Sequence, residues 1–166
     1  MAAILYPFAI LSLLLSGAIF GFFYAWVCST MWGLDAADPT IAIEAMQAMN
    51  ASVRNAVFAP AFFGTPVVLT MTAALAFQAG FRRSALAFLG AALVYFFGGL
   101  LLTMVVNVPM NEALARIDVP ADSTEAQGIW RDYSDPWKFW NTARTAASGV
   151  SLMLTGIAIL ALSKRG

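Results

Sequence analysis

Four apolar runs, about Leu5–Trp32, Ala56–Phe77, Ser84–Val106 and Thr145–Leu162, dominate the chain. Each approaches or exceeds the roughly 18–20 residues that carry a helix across a bilayer core. Only 11% of the residues are charged, against about a quarter in a soluble domain. The expected fold is all-α, an integral membrane four-helix bundle. Its spans are placed at about 5–32, 56–79, 84–107 and 137–163, in one domain over residues 1–166. Two long outward-facing connections, containing short helices, join them.

The cations set the expected topology. The turn between spans two and three holds Arg82-Arg83, and the tail holds Lys164-Arg165, with no acid in either. The connection from Asp35 to Arg54 has three acids and one base; that from Glu112 to Arg144 has six acids and four bases. The positive-inside rule therefore puts both termini in the cytoplasm of an inner or plasma membrane. The first span lacks a basic leader and an Ala-x-Ala site, so it is expected to stay in the protein. Its Gly17-Ala-Ile-Phe-Gly21 segment reads as a close helix contact.

Local signals subdivide the connections. Asp38-Pro39 has the form of a helix start, a side-chain cap followed by proline. A helix from there aligns Gln47, Asn50, Arg54 and Phe58 on one face. That stripe fits a solvated surface or the entrance to a site, and Arg54 alone fits snorkelling to headgroups. Pro60 and Pro66 should kink span two or free carbonyls into the bundle. Pro109 should kink or restart the helix between Asn107 and Asn111, with Thr103 extending their polar line inward. Asp122-Ser-Thr-Glu125 predicts a short surface helix over 123–133, and Asp135-Pro136 then predicts a second start. The repeated Asp-Pro hints at two duplicated hairpins.

The last span is the most patterned. At 100° per residue, Asn141, Arg144, Ser148, Ser151 and Thr155 all fall within about 40° of Trp137. Lipid tolerates such a face poorly, so it should point inward and line a polar cavity opening outward. Buried asparagines in membranes also serve as ties between helices, and Asn107, Asn111 and Asn141 fit either role.

The chain has no histidine and one cysteine, Cys28. Imidazole-ligated haem, zinc or copper, a Ser-His-Asp relay and an iron–sulfur cluster are therefore not expected. No cofactor is predicted, although carboxylate-bound iron stays open. Scattered methionines read as packing, and zero net charge gives no nucleic-acid footprint. Amides, arginines and aromatic rings suit a flat aromatic molecule or a lipid. Rings stack on it, and arginine steadies an oxyanion.

Two segments carry a resemblance: Asn107-Val-Pro-Met-Asn111-x-x-Leu114, and Trp130-x-x-Tyr133-x-x-x-Trp137-x-x-Trp140-Asn141-x-x-Arg144-Thr145. They resemble a family of small four-helix membrane proteins, largely of unassigned function, that includes the anthrone oxygenases. Many relatives have histidine where this chain has Thr142. The resemblance implies oxygen insertion into an activated methylene, with no organic cofactor. In that reading Arg144, with Arg54, binds the substrate oxygen, and dioxygen reacts near Asn107, Asn111 or Asn141. Glu112 is the first candidate base and Tyr133 the second. Asn50, Trp130, Tyr133, Trp137, Trp140 and Tyr24 contact substrate, although a tyrosine at the depth of Tyr24 also fits an interfacial anchor. The alternative is a non-catalytic subunit holding a lipid, quinone or pigment within a homo-oligomer or larger membrane complex. A transporter is the weakest reading, because no charge lies at mid-membrane.

Overall fold

A computed structural model describes residues 2–162, and side chains from Ile4. The cations Lys164 and Arg165, and the last position assigned to span four, Ser163, lie outside the described residues. Four helices have membrane-crossing length and composition: α1 (Ile4–Asp35), α3 (Phe58–Gln78), α4 (Arg82–Leu114) and α5 (Ser123–Leu162). The short α2 (Pro39–Ser52) joins α1 to α3. The protein is an all-helical integral membrane protein, and among the described residues there is no strand.

The four long helices form a ring in chain order, with α5 closing back on α1. A side-chain hydrogen bond crosses every seam. Ser12 meets Thr72 at 2.8 Å between α1 and α3, and the Tyr95 hydroxyl donates to the Phe62 carbonyl at 2.9 Å between α3 and α4. Ser151 donates to the Ala91 carbonyl at 2.9 Å between α4 and α5, and Asn141 to the Phe23 carbonyl at 3.3 Å between α5 and α1. Such bonds supplement van der Waals packing where lipid removes the hydrophobic drive for helix association. The Tyr95 bond has a local cause. Pro66 has no N–H, so the Phe62 carbonyl four residues back lacks its helical donor, and Tyr95 supplies one. The expectation of a freed carbonyl facing the bundle is met.

At one end α3 and α4 meet in a tight turn. Gly80 has φ of 84°, its N–H bonds to the Phe77 carbonyl, and the Phe81 N–H bonds to the Ala76 carbonyl. This is a Schellman ending, which needs a residue free to adopt the left-handed conformation. The core beside it is mostly alanine and leucine around Phe88.

At the other end the helices have unequal lengths. With 32, 33 and 40 residues, α1, α4 and α5 exceed a ~30 Å hydrocarbon core, whereas the 21-residue α3 barely spans it. The excess length and α2 build a cap around Trp130, Tyr133 and Trp137. As expected, Asp38 caps α2 by accepting from the Thr40 N–H at 2.9 Å, and Pro39 occupies its first turn.

Four local expectations are corrected. First, α5 runs unbroken from Ser123 through Pro136, so there is no separate surface helix over 123–133 and no second Asp-Pro start. Buried Trp130, Tyr133 and Trp137 hold the helix on both sides of the proline, where the carbonyl four residues earlier belongs to exposed Asp132. The hint of duplication fails there. Second, the restart at Pro109 is a resumption of α-helix at Val108 within a continuous α4, not a break. The helix widens into π-helical turns at Phe96–Leu101 and Thr103–Asn107, and the Val108 N–H reaches back to the Thr103 carbonyl. A third such turn, Trp26–Thr30, lies in α1. Third, α2 ends at Ser52, so Arg54 and Phe58 are not on it. Asn55 caps α3 by accepting from the Val57 and Phe58 amides at 2.8 and 2.9 Å. Fourth, Gly17 and Gly21 make no close helix contact within the chain, since a Cβ at either would meet nothing within 4 Å. The close approach is instead at Gly98, where a Cβ would sit 2.5 Å from that of Ala147 on α5.

Candidate functional site

Beneath α2, where α3 stops short, lies a cavity of about 570 Å³. Its wall is largely aromatic and aliphatic, from Phe22, Phe23 and Trp26 of α1 to Phe58, Phe62 and Phe63 of α3. From the last helix only Trp137 and Arg144 reach it. The expected polar lining by Ser148 and Thr155 is therefore corrected. Buried hydroxyls on a helix bond to their own backbone one turn back, and Ser148 and Thr155 do so, to the Arg144 and Ser151 carbonyls.

Arg144 is the centre of the site. It is 5% exposed, and no carboxylate pairs with it among the described residues. Its Nε donates to Asn141 Oδ1 at 2.9 Å and its Nη1 to Thr103 at 3.3 Å. The guanidinium carbon lies 4.4 Å from the Phe23 ring centroid and 5.0 Å from that of Trp137. Aromatic faces stabilise a cation without neutralising it. Arg144 lies 18 residues before Leu162, roughly 27 Å along the helix and so near one margin of the hydrocarbon core. A buried cation with neutral partners is costly there and favours any anionic guest.

Asn111 forms the next layer. The Tyr133 hydroxyl and Trp137 Nε1 both donate to its Oδ1, at 2.8 and 2.9 Å. An indole nitrogen can only donate, which fixes the oxygen on that side and leaves the Asn111 NH₂ for the cavity it lines. Asn50 donates to the Tyr133 hydroxyl at 3.3 Å. At the rim Arg54 pairs with Glu112 at 3.3 Å, both side chains about half-exposed. A second, polar hollow of about 390 Å³ adjoins this rim and shares Asn50, Arg54, Asn111 and Glu112 with the cavity.

The structure thus brings Arg144, Asn111, Glu112, Arg54, Asn50 and Trp137 to one cavity wall. Asn141 and Tyr133 stand behind it and orient Arg144 and Asn111. Asn107 is fully buried, and among the described residues neither of its amide atoms has a hydrogen-bond partner. It lies on α4 between Thr103, bonded to Arg144, and Asn111, bonded to Trp137, so it faces the same stretch of α5. An unbonded amide costs a few kcal/mol in apolar surroundings.

Trp130, Trp140 and Tyr24 lie outside the lining, against expectation. Trp130 donates to Asp35 at 2.9 Å and ties α5 to α1. Trp140 packs on Phe139 at the bundle surface. Tyr24 is half-exposed and stacks on Phe20, because the inward positions of that turn belong to Phe22, Phe23 and Trp26. Gln47, from the predicted stripe, bonds the Leu114 and Ile117 carbonyls at the end of α4. Thr142, the position of a histidine in many relatives, is exposed and donates to the Lys138 carbonyl at 2.8 Å, outside the cavity lining. No group of three acidic or cysteine side chains gathers among the described residues.

The α1 and α3 aromatics were missed by sequence reasoning. The Phe22, Phe23 and Trp26 spacing held a one-face signal, but phenylalanine in a membrane span is too common to stand out. Compared with known families, residues 54–154, well over half of the chain, match the family described as anthrone oxygenase. No curated protein and no solved structure matches.

Proposed function

The chain belongs to the anthrone oxygenase family, and on that premise we propose that the cavity binds a planar aromatic ketone and oxidises its activated methylene with dioxygen. The observation that carries this reading is Arg144, buried with no carboxylate partner among the described residues and held between two rings at the wall of an aromatic cavity. Rings of the ligand stack among Phe22, Phe58, Phe62 and Trp26, while its carbonyl oxygen accepts a hydrogen bond from the Arg144 guanidinium.

Removal of a methylene proton makes an enolate, whose negative oxygen Arg144 stabilises by several kcal/mol in a water-poor site. Glu112, on the cavity rim, is the base of choice. Tyr133 is less apt, because its proton is already donated to Asn111. The enolate gives one electron to dioxygen, the resulting radicals combine to a carbon-bound peroxide anion, and the proton held by Glu112 returns to make the hydroperoxide. Loss of the second methylene proton with hydroxide then leaves a ketone and water, so one dioxygen is consumed per quinone formed. The Asn111 NH₂ is the polar group proposed to attend the oxygen atoms.

The commitment of Glu112 to Arg54 favours one second reading, a non-catalytic holder of a quinone or pigment. In either case the cap is proposed to face outward, with both termini and the Arg82-Arg83 turn in the cytoplasm. The test is oxygen uptake by the detergent-solubilised protein with a simple anthrone, beside an Arg144→Ala variant and a protein-free blank. The parent should exceed the blank with one quinone per dioxygen. The variant, if still monodisperse and helical, should lose about 10²-fold or more. Uptake equal to the blank with an anthrone still bound would support the holder, and unchanged turnover in the variant would remove Arg144 from the chemistry.

A further inference from the structure

Besides its exposed rim at Arg54–Ala56, the cavity is open between α3 and α4. At its base the Tyr95 hydroxyl bonds the Phe62 carbonyl, and at its rim Arg54 pairs with Glu112. Between these two fastenings the helices part. No Cα of Thr103–Leu114 comes within 8 Å of any in Phe58–Gln78. Phe63 on one edge and Met104 on the other both line the cavity, and they remain 51% and 43% exposed on the outer surface of the bundle. The other seams are shut at this level. Phe22 packs on Phe58 at 4.8 Å between α1 and α3. Thr103 meets Arg144 between α4 and α5, and Asn141 meets the Phe23 carbonyl between α5 and α1.

We propose that this seam is a lateral portal, through which the cavity takes an uncharged, lipid-dissolved planar aromatic directly from the bilayer. The proposal rests on the reading of the cavity as an aromatic site. An apolar molecule concentrates in lipid by the same transfer free energy that drives apolar burial, so its supply is greatest at an opening that faces hydrocarbon. From the water side, passage through the second hollow leads past the Arg54–Glu112 pair. Phe63 and Met104 are suited to edge such an opening: neither has a hydrogen bond to break, and methionine changes rotamer readily.

The test closes each route in turn. Protein in nanodiscs is mixed with anthraquinone, a ligand already oxidised, and quenching of Trp26 and Trp137 fluorescence reports arrival in the cavity. In a Cys28→Ser background, Phe63→Cys with Met104→Cys is bridged by a reducible bis-maleimide. In a second protein Ala51→Cys with Ala115→Cys, both on the polar hollow only, is bridged likewise. Each bridged protein is compared with its own reduced form, so folding is common to both. The portal bridge should slow association roughly ten-fold, reversibly, while the bridge across the hollow leaves it near the reduced value. Slowing by the hollow bridge alone, or equally by both, would overturn lateral entry and leave the aromatic site standing. Failure of the parent to bind anthraquinone at all would overturn both readings.

Discussion

The two halves of the bundle solve the packing of four helices differently. In the half near Gly80, alanines such as Ala73, Ala76, Ala85, Ala91 and Ala92 let backbones approach, and Phe88 fills the centre without exposed surface. In the half beneath α2, Phe23, Phe62, Tyr95, Trp130, Tyr133 and Trp137 hold the helices apart and hydrogen bonds bridge the gaps. Small residues close a seam by van der Waals contact over its whole length, whereas large ones touch at points and leave space between. The closed half is a clamp; the open half is a container.

If that contrast is right, substitutions should divide along it. Phe88→Ala removes the centre of the clamp and should cost about 3 kcal/mol, read as a lowered unfolding midpoint in mild detergent. A loss below one kcal/mol would show that the alanine seams carry that half without it. Tyr133→Phe takes away two hydrogen bonds, from Asn50 and to Asn111, yet Trp137 still satisfies Asn111. Its cost should be nearer 1 kcal/mol by the same measurement. A cost matching Phe88→Ala would mean that the container is as tightly coupled as the clamp. The smallest effect belongs to Arg54→Gln. The pair it breaks is half-exposed, so stability should fall by less than about 1 kcal/mol, and the difference should shrink as salt is raised. A salt-independent loss would place the pair inside a shielded wall.

The same dipeptide shows how far local signals carry. Asp38-Pro39 begins a helix as its sequence predicts, with the Asp38 cap bonded to Thr40. Asp135-Pro136 carries the same signal but lies within α5, where Asp135 pairs with Lys138 instead. The dipeptide itself does not distinguish the two. The difference is that Trp130, Tyr133 and Trp137 on either side of Pro136 have partners on α1, α2 and α4. Likewise the inward face of α5 was legible because helical period and polarity coincide at Asn141 and Arg144. The partners of that face were not. That Arg144 would meet Phe23, 121 positions earlier, has no trace in either local segment.

Sequence by itself determined the number of membrane helices, the α2 start at Asp38, the buried face of α5 and the freed Phe62 carbonyl. Each follows from hydropathy, period or the chemistry of one residue, all short-range properties. Only the tertiary structure decided that, on the polar face of α5, Ser148 and Thr155 turn to their own backbone while Asn141, Arg144 and Ser151 reach neighbouring helices. It also decided that π-helical turns carry α4 past Pro109, and that the short α3 leaves a hollow open toward α4. Those outcomes depend on relative helix length and on which residues face each other across seams, and no single segment encodes a relation between two.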